Sequence, residues 1–149
     1  MKVYLATDHG GFNLKEALKA YLLTQGYDVI DEGAHTLDPA DDYPDFMYPA
    51  AQKIGEDMNA RGIFLCRSGA GAAIVANKVK DVRAVVARTK EEAQHAREHN
   101  DANVVALSSD ALTAEEARDI IAAFLSTSFS GEDRHLRRLK KIMRIEERS

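Results

Sequence analysis

The sequence predicts an α/β fold in which a five-stranded parallel sheet lies between two layers of helices. Five short apolar runs, most of them without polar alternation, indicate strands that are covered on both faces. Segments with helical periodicity lie between these runs, and such alternation favours right-handed crossovers and parallel strands. The predicted strands are Val3–Thr7, Asp28–Asp31, Ile63–Cys66, Ala84–Ala87 and Val104–Ser108.

Helix signals separate these runs. After the first strand, an apolar stripe at helical spacing ends at Gly26, a residue type that commonly terminates helices. The stripe consists of Leu14, Ala17, Leu18, Tyr21 and Leu22. Thr89–Glu92 and Thr113–Glu116 each have the form of a capping box, in which the threonine and glutamate side chains each accept a backbone N–H. An apolar face follows the second box and predicts a last helix in the alternation of strands and helices that is typical of a Rossmann-like fold. This face consists of Ile120, Ile121, Phe124 and Leu125.

The C-terminal segment Glu132–Ser149 differs from the rest in charge, with seven Lys or Arg residues against four Asp or Glu residues. Read as a helix, it has a basic face, made of Arg134, Arg137, Arg138 and Lys141, and an opposite apolar face, made of Leu136, Leu139 and Met143. The simpler interpretation is an amphipathic helix that packs on the domain. The alternative is that Arg134 and Arg138, one turn apart, hold an anion between them.

Composition limits the class of protein. The 149 residues suit one domain, 1–149, and the net charge of −4 argues against a general nucleic-acid-binding surface. A single cysteine excludes an intrachain disulfide framework and argues against a cysteine-based zinc site. No apolar run approaches the ~20 residues that span a bilayer, and the apolar stretch at the N-terminus is short for a signal peptide. We therefore expect a cytoplasmic protein without membrane partners.

Unusual polar residues follow the predicted strands, at the edge where open parallel sheets bind ligands. Asp8 and His9 follow the first strand, and Arg67 and Ser68 follow Cys66 at the end of the third. The long irregular stretch His35–Phe46 is predicted to be a surface loop that could cover this edge.

The glycine loop after Cys66 matches neither a dinucleotide fingerprint nor a P-loop. Its third glycine is missing, and it lacks the Gly-Lys-Ser/Thr ending. Small residues at a helix start still let backbone N–H groups approach a phosphate or an oxyanion. Cys66 at this position is either a buried, inert thiol or a thiolate that acts as a nucleophile or base.

His99 needs a different explanation, because it precedes the fifth strand and so lies at the opposite, amino edge of the sheet. It is either a histidine that faces a helix C-terminus or a residue that joins the Cys66 site of a second subunit.

Taken in order, seven motifs resemble the ribose-5-phosphate isomerase type B family, which also includes the galactose-6-phosphate isomerase subunits. The motifs are DHGGFNLKEAL, GYDVIDEGAHT, DYPDF, CRSGAGAAIVANK, VRAVV, HNDANVVALSS and GEDRHLRRLKKI. Each is weak alone, but together they run nearly from end to end of the chain.

The resemblance implies an aldose–ketose isomerase of phosphorylated sugars that works without a metal or an organic cofactor. It also implies a homodimer whose sites are shared between the two subunits. Pairing of such dimers into a tetramer is an alternative. Cys66 would be the base of an enediolate mechanism, and Ser68 would donate to the reacting oxygens. The oxyanion cradle would consist of the backbone N–H groups of Gly69, Ala70, Gly71 and Ala72. Ring opening would involve His99 with Asp8 nearby, and Asn100 would bind substrate oxygens. Phosphate would bind to His9, Arg134 and Arg138, and Tyr43 would line the pocket.

Two departures from the family pattern concern the substrate. The family usually has CGTG where this chain has CRSG, so Arg67 stands beside the base. Asp110 stands where the family often has a basic residue that helps to hold phosphate, and we expect Arg67 to offset that change as a substrate-binding residue. Ribose 5-phosphate, an allose, galactose or tetrose phosphate, and a non-catalytic sugar-phosphate sensor remain alternatives. A thiol redox protein is disfavoured because no second cysteine can resolve the first.

Overall fold

Five parallel strands form one sheet, and all five coincide with runs predicted from the sequence. The computed structural model describes residues 1–149. The strands are β1 (Lys2–Thr7), β2 (Asp28–Asp31), β3 (Arg61–Cys66), β4 (Ala84–Val86) and β5 (Val104–Ser108). They pair in the order β2-β1-β3-β5-β4, and every pairing is parallel. The predicted α/β class is confirmed.

Six helices connect and follow the strands. They are α1 (Phe12–Thr24), α2 (Tyr43–Glu56), α3 (Ala70–Ala76), α4 (Lys90–Asn100), α5 (Ala114–Ser126) and α6 (Asp133–Glu146), and a 3₁₀ turn, His9–Gly11, precedes α1. Gly26 has a positive φ of 80° just beyond α1, which is the conformation expected of a residue that ends a helix. None of the six helices combines the length and apolar character needed to cross a lipid bilayer.

Alternate residues of the strands enter two separate cores, one on each face of the sheet. Helices α1, α4 and α5 pack on one face, and α2 and α3 pack on the other. On β3, Ile63 and Leu65 enter the first core, whereas Phe64 and Cys66 enter the second. The side chain of Cys66 therefore lies on the same face as α3, the helix that follows it.

The chain leaves the sheet in opposite directions after β1 and β3, which are neighbours. From β1 it passes through α1 to β2, at one edge of the sheet. From β3 it passes through α3 to β4, at the other edge. This divergence creates a crevice between the carboxyl ends of β1 and β3, and ligands of open parallel sheets bind at such a switch point.

Two local predictions were wrong in detail. Helix α2 begins at Tyr43, inside the stretch predicted to be a loop. Pro44 fits the first turn because the N–H that proline lacks has no partner inside a helix at that position. The capping box at Thr113 is complete, but at Thr89 the second bond is absent, because the Glu92 carboxylate accepts the N–H of Arg88 instead.

A buried lysine in α1 was not predicted. The side chain of Lys15 is 0% exposed, and its Nζ lies 2.8 Å from both carboxylate oxygens of Asp31 and donates to the carbonyl of Ala34 at 2.7 Å. Burial alone would raise the pKa of Asp31, but the hydrogen bonds from Lys15, Lys19 and the N–H of Gly33 outweigh it and lower that pKa to about 2. This ion pair ties α1 to the end of β2.

We expect Asp31→Asn to destabilise the fold by about 2 kcal/mol, because the buried Lys15 ammonium then keeps only one opposite charge, the half-exposed carboxylate of Glu16 at 3.0 Å. Lys53→Ala is the control. It breaks the more exposed pair between Lys53 and Glu32, 2.6 Å apart, and should cost less than ~1 kcal/mol. Urea unfolding of the three proteins measures both effects.

The wild type and Asp31→Asn should also differ in how their free energy of unfolding changes at acidic pH. The folded pKa of Asp31 lies below its ordinary value of 3.8, so its stabilisation is complete above that value and is lost as the pH falls toward about 2. Asp31→Asn should lack this part of the acid-dependent loss. An identical pH dependence of the unfolding free energy in both proteins would contradict the assigned role of the pair.

Candidate active site

Two of the predicted site segments meet at the switch point between β1 and β3. Asp8 and His9 follow β1 directly, and Cys66 is the last residue of β3. Two contacts join these strand ends: Thr7 pairs with Leu65 in the sheet, and the Thr7 hydroxyl donates to the Leu65 carbonyl at 3.0 Å. Gly11 packs so closely on the same two residues that a Cβ there would overlap them.

The loop after Cys66 forms a tight turn into α3. Gly69 has a positive φ of 77°, and a Cβ at this position would lie 3.1 Å from the backbone of Leu107. Both the conformation and the space therefore require glycine. Two N–H groups are used inside the turn: Gly69 donates to the Cys66 Sγ at 3.1 Å, and Ala70 donates to the Ser68 Oγ at 3.2 Å.

The N–H groups of Gly71 and Ala72 remain outside this set of hydrogen bonds. They belong to the first turn of α3, where N–H groups have no partner inside the helix. Of the four N–H groups in the predicted cradle, two thus have acceptors inside the turn and two have no partner in the chain. Ser68, in contrast, is exposed and its hydroxyl can still donate.

Cys66 lies at the boundary between core and cleft. Only 5% of its surface is exposed, and it belongs to the core formed with α2 and α3. Its sulfur nevertheless accepts the N–H of Gly69, the residue directly before α3. The thiol is therefore buried, as in the first of the two predicted interpretations, but it is placed beside polar groups, as in the second.

Tyr43 covers the start of α3. A Cβ at Gly71 would lie 2.7 Å from the Cζ of Tyr43 and 3.1 Å from its hydroxyl oxygen, so the ring rests directly on the backbone of Gly71. The first residue of α2 thereby lies against the start of α3, and its role in lining a substrate pocket stays a prediction.

His9 and Asp8 form the other side of the cleft. The carboxylate of Asp8 accepts the N–H of Gly10 at 2.9 Å and so holds the 3₁₀ turn. The Nδ1 of His9 lies 2.7 Å from the Oδ1 of Asp41, a residue of the β2–α2 loop. The hydrogen bond to Asp41 raises the pKa of His9, with a smaller contribution from the negative charge of Asp8 and against the effect of burial. This favours the imidazolium form at the mouth of the cleft.

Asp41 was missed from the sequence because Asp residues are common in loops and nothing in the local pattern indicates a contact 32 residues away. One side-chain N or O atom from each of Asp8, His9 and Asp41 lies within 4.8 Å of the others, and the hydrogen bond between His9 and Asp41 accounts for this spacing without an ion.

Arg67 does not point toward Cys66. Its stem crosses Gly10, and its Nη1 lies 3.9 Å from the Oδ1 of Asp110, with the two side chains 67% and 62% exposed. The main chain beneath is firmly held, since the carbonyl of Arg67 accepts the Ser108 hydroxyl at 2.6 Å and the Asp110 N–H at 3.1 Å. The two residues that depart from the family pattern thus meet at the rim of the cleft.

The remaining predicted residues form a second group elsewhere. His99 and Asn100 end α4, and Arg134 and Arg138 lie on α6. The α4–β5 connection is at the amino edge of the sheet, because Val104 pairs with Gly62 whereas Cys66 pairs with Ser108. The four residue steps from Gly62 to Cys66 span about 13 Å. One chain therefore does not bring His99 to Cys66, in agreement with the sheet-edge argument.

His99 lies between two further histidines that the sequence argument did not use. Its ring stacks on His135 with centroids 4.4 Å apart, and its Nδ1 is 3.2 Å from the Nε2 of His95. His135 is buried and bonded to the Ser130 hydroxyl at 2.6 Å; burial, then the charge of His99, lowers its pKa. The four-residue spacing of His95 and His99 on one helix was the signal that could have found part of this cluster.

The arginines of this second group are exposed, with the Nε of Arg134 donating to the carboxylate of Glu132 at 2.8 Å. They therefore face solvent on the same side of the molecule as the histidine cluster. The arrangement leaves cationic groups available to an anion outside this chain's own cleft.

A family model described as ribose/galactose isomerase matches residues 3–142. The ribose-5-phosphate isomerase B of Mycolicibacterium paratuberculosis is 43% identical over 139 residues, which cover 93% of this chain and 87% of that protein.

Solved structures agree with the sequence matches. Ribose-5-phosphate isomerase B from Mycoplasma genitalium, with bound ribulose 5-phosphate, superposes with a TM-score of 0.95 at 38% identity, covering 99% of this chain and 97% of that one. Ribose-5-phosphate isomerase B from Clostridium thermocellum superposes with a TM-score of 0.93 at 41% identity, covering 99% of both chains.

The contact between Tyr43 and Gly71 makes a prediction about stability. Glycine to alanine inside a helix normally stabilises by about 1 kcal/mol. At position 71 we expect the opposite sign, because the added methyl group collides with the Tyr43 ring. In a Tyr43→Ala background the collision is absent, and Gly71→Ala should become neutral or stabilising. Thermal unfolding of the four proteins in this cycle measures the effect, and a stabilising Gly71→Ala in the presence of Tyr43 would show that the ring does not rest there.

Proposed function

The chain belongs to the ribose/galactose isomerase family, and we propose that it interconverts a phosphorylated aldose and ketose, of the ribose 5-phosphate and ribulose 5-phosphate type. The observation that carries the proposal is the position of the Cys66 sulfur, at the switch point of the sheet, where it accepts the N–H of Gly69 just before the first turn of α3, in which the N–H groups of Gly71 and Ala72 have no partner in the chain. Enolisation needs a base next to groups that stabilise a developing oxyanion, and this pairing supplies both.

In the proposed reaction the Cys66 thiolate removes the proton from C2 of the open-chain aldose. The electron pair of that C–H bond forms the C1–C2 double bond, and the carbonyl electrons move to O1. The resulting cis-enediolate is stabilised by the N–H groups of Gly71 and Ala72 and by the Ser68 hydroxyl. The thiol then returns the proton to C1, while the hydroxyl proton on O2 passes to O1 and leaves a carbonyl at C2.

Binding of the phosphate is assigned to His9 at the mouth of the cleft and to the two arginines of the second group. His9 favours the imidazolium form, and Arg134 and Arg138 carry permanent charge on α6. A phosphate held in this way supplies binding energy remote from the reacting carbons and positions them against Cys66. Tyr43 forms the wall of the pocket over α3.

The complete site combines two copies of the chain. His99, with Asp8 nearby, is assigned to ring opening and Asn100 to substrate oxygens, but His99 and Asn100 lie with the arginines at the opposite edge from Cys66. We assign this second group to the cleft of a partner subunit. The large apolar side chains exposed on α6, Leu136, Ile142, Met143 and Ile145, support a surface that another chain covers. Whether dimers pair into tetramers stays open in this proposal.

The pair of Arg67 and Asp110 favours a second candidate, the same reaction on another sugar phosphate. A carboxylate at the rim opposes a phosphate, whereas Arg67 attracts it, and their contact of 3.9 Å between exposed groups is weak enough to break. An allose, galactose or tetrose phosphate would place its phosphate differently against this pair. Since phosphorylated sugars are charged and do not cross membranes freely, the enzyme would act in the cytoplasm.

The decisive experiment measures turnover of ribose, ribulose, allose, galactose and tetrose phosphates by the wild type, Cys66→Ala and Cys66→Ser. Loss of a general base lowers the rate by about 10²- to 10⁴-fold, so both variants should lose kcat while keeping affinity for the sugar phosphate. Cys66→Ser controls for packing, because serine nearly preserves the volume of the buried side chain. Wild-type binding without turnover of any of the five would favour the non-catalytic sensor.

The shared site predicts complementation. Cys66→Ala and His99→Ala chains should each be inactive, but mixing them under conditions that exchange subunits should restore activity, because half of the sites in a heterodimer are intact. Cys66→Ala mixed with Cys66→Ser is the control and should stay inactive. Exchange confirmed by mass spectrometry without recovery of activity would place both residues in one subunit's site.

A further inference from the structure

Near its end, the β2–α2 loop is fixed to the cleft by the side chain of Asp41. Its Oδ1 accepts two hydrogen bonds from His9, one from the main-chain N–H at 2.8 Å and one from the ring Nδ1 at 2.7 Å. One oxygen atom therefore holds both the backbone and the ring of the same histidine. Because Nδ1 donates its proton to Asp41, the group that His9 can offer to a ligand is its Nε2.

The carboxylate of Asp41 is largely buried, and only one of its two oxygens accepts hydrogen bonds. Its side chain is only 10% exposed, and its second oxygen, Oδ2, is buried and accepts no hydrogen bond from the protein. A buried polar atom without a partner costs about 1–3 kcal/mol. The same carboxylate lies 2.7 Å from the Nδ1 of His9, so its negative charge favours the protonated form of that ring.

The charges around His9 act on its protonation. Asp8 approaches from the end of β1 and Asp41 from the β2–α2 loop, while Arg67 from the β3–α3 loop crosses Gly10. Arg67 is exposed and lies beside Asp110, which partly offsets its charge. Two carboxylates close to one imidazole therefore dominate, in agreement with the raised pKa of His9.

We infer that Asp41 is a positioning residue that holds His9 as an imidazolium with its Nε2–H offered to the phosphate of the substrate. The inference rests on the proposed function, in which His9 binds that phosphate. A charged donor binds phosphate about twice as strongly as a neutral one, whereas a deprotonated Nε2 would present a lone pair to a phosphate oxygen. Substrate affinity should consequently fall as the pH rises through the raised pKa of His9.

The test compares the wild type with Asp41→Asn, which keeps an oxygen that can accept both hydrogen bonds but removes the charge. The pKa of His9 should fall toward its ordinary value of 6.5. KM should then begin to rise at a lower pH than in the wild type, and kcat should change little. Since one pKa unit changes the protonation ratio tenfold, we expect KM near neutral pH to increase about 3- to 10-fold. Titration of the phosphate itself affects both proteins equally.

Asp38→Asn is the matched control. Asp38 lies in the same loop and is exposed, and its carboxylate accepts only the N–H of Ala40, so its substitution should leave the pH profile of KM unchanged. An Asp41→Asn profile that coincides with the wild type would overturn the inference. A fall in the kcat of Asp41→Asn without a change in its KM would also overturn the inference.

NMR titration of the His9 ring gives a measurement independent of activity and of any variant. In the wild type the pKa of His9 should lie above 6.5, and Nδ1 should remain the protonated nitrogen at high pH; a lower pKa or the other tautomer overturns the inference. If instead no sugar phosphate is turned over but the titration behaves as expected, the proposed function fails and the dyad of Asp41 and His9 stands.

Discussion

The pairing of β1 with β3 determines where everything else in the cleft can lie. These neighbouring strands release the chain toward opposite edges of the sheet, so their carboxyl ends border an opening that no crossover helix fills. The hydroxyl of Thr7 bonds across to Leu65, and Gly11 packs against both residues. This close contact sets the separation between the Asp8–His9 turn and Cys66. The glycine turn at Gly69 and the ring of Tyr43 then complete a cleft whose floor is backbone rather than flexible side chains.

The cleft is supported from behind by charge. Lys15, fully buried in α1, holds Asp31 at the end of β2 and the carbonyl of Ala34 beyond it. The N–H of Thr7 and the carbonyl of Gly33 are joined at 2.7 Å, as are the N–H of Ala34 and the carbonyl of Thr7, so the start of the β2–α2 loop continues the ladder beside β1. Such a buried pair contributes little net stability, but it specifies one position for the groups it joins. Here that position determines where the loop departs toward His9.

Much of the fold was predictable because strands buried on both faces leave an unbroken apolar signature, and all five runs became strands. The N-terminal half of the cleft was also predictable, since Asp8, His9 and Cys66 end strands and therefore share an edge. Lys15 and Asp41 were not, because their partners lie 16 and 32 residues away and depend on tertiary contacts. The number of N–H groups in the cradle that lack a partner could not be predicted from the sequence either. It depends on Ser68 and Cys66 accepting two of them, which only the turn geometry decides.

The β2–α2 loop is secured at both ends, by the ladder beside β1 at Gly33 and Ala34 and by Asp41 on His9. Between these anchors, residues 35–40 are all exposed. Their length and composition can therefore vary between relatives without moving either anchor. This short exposed span is where the protein can acquire new surface properties, such as a tag or a recognition sequence, while the chemistry beneath it stays in place.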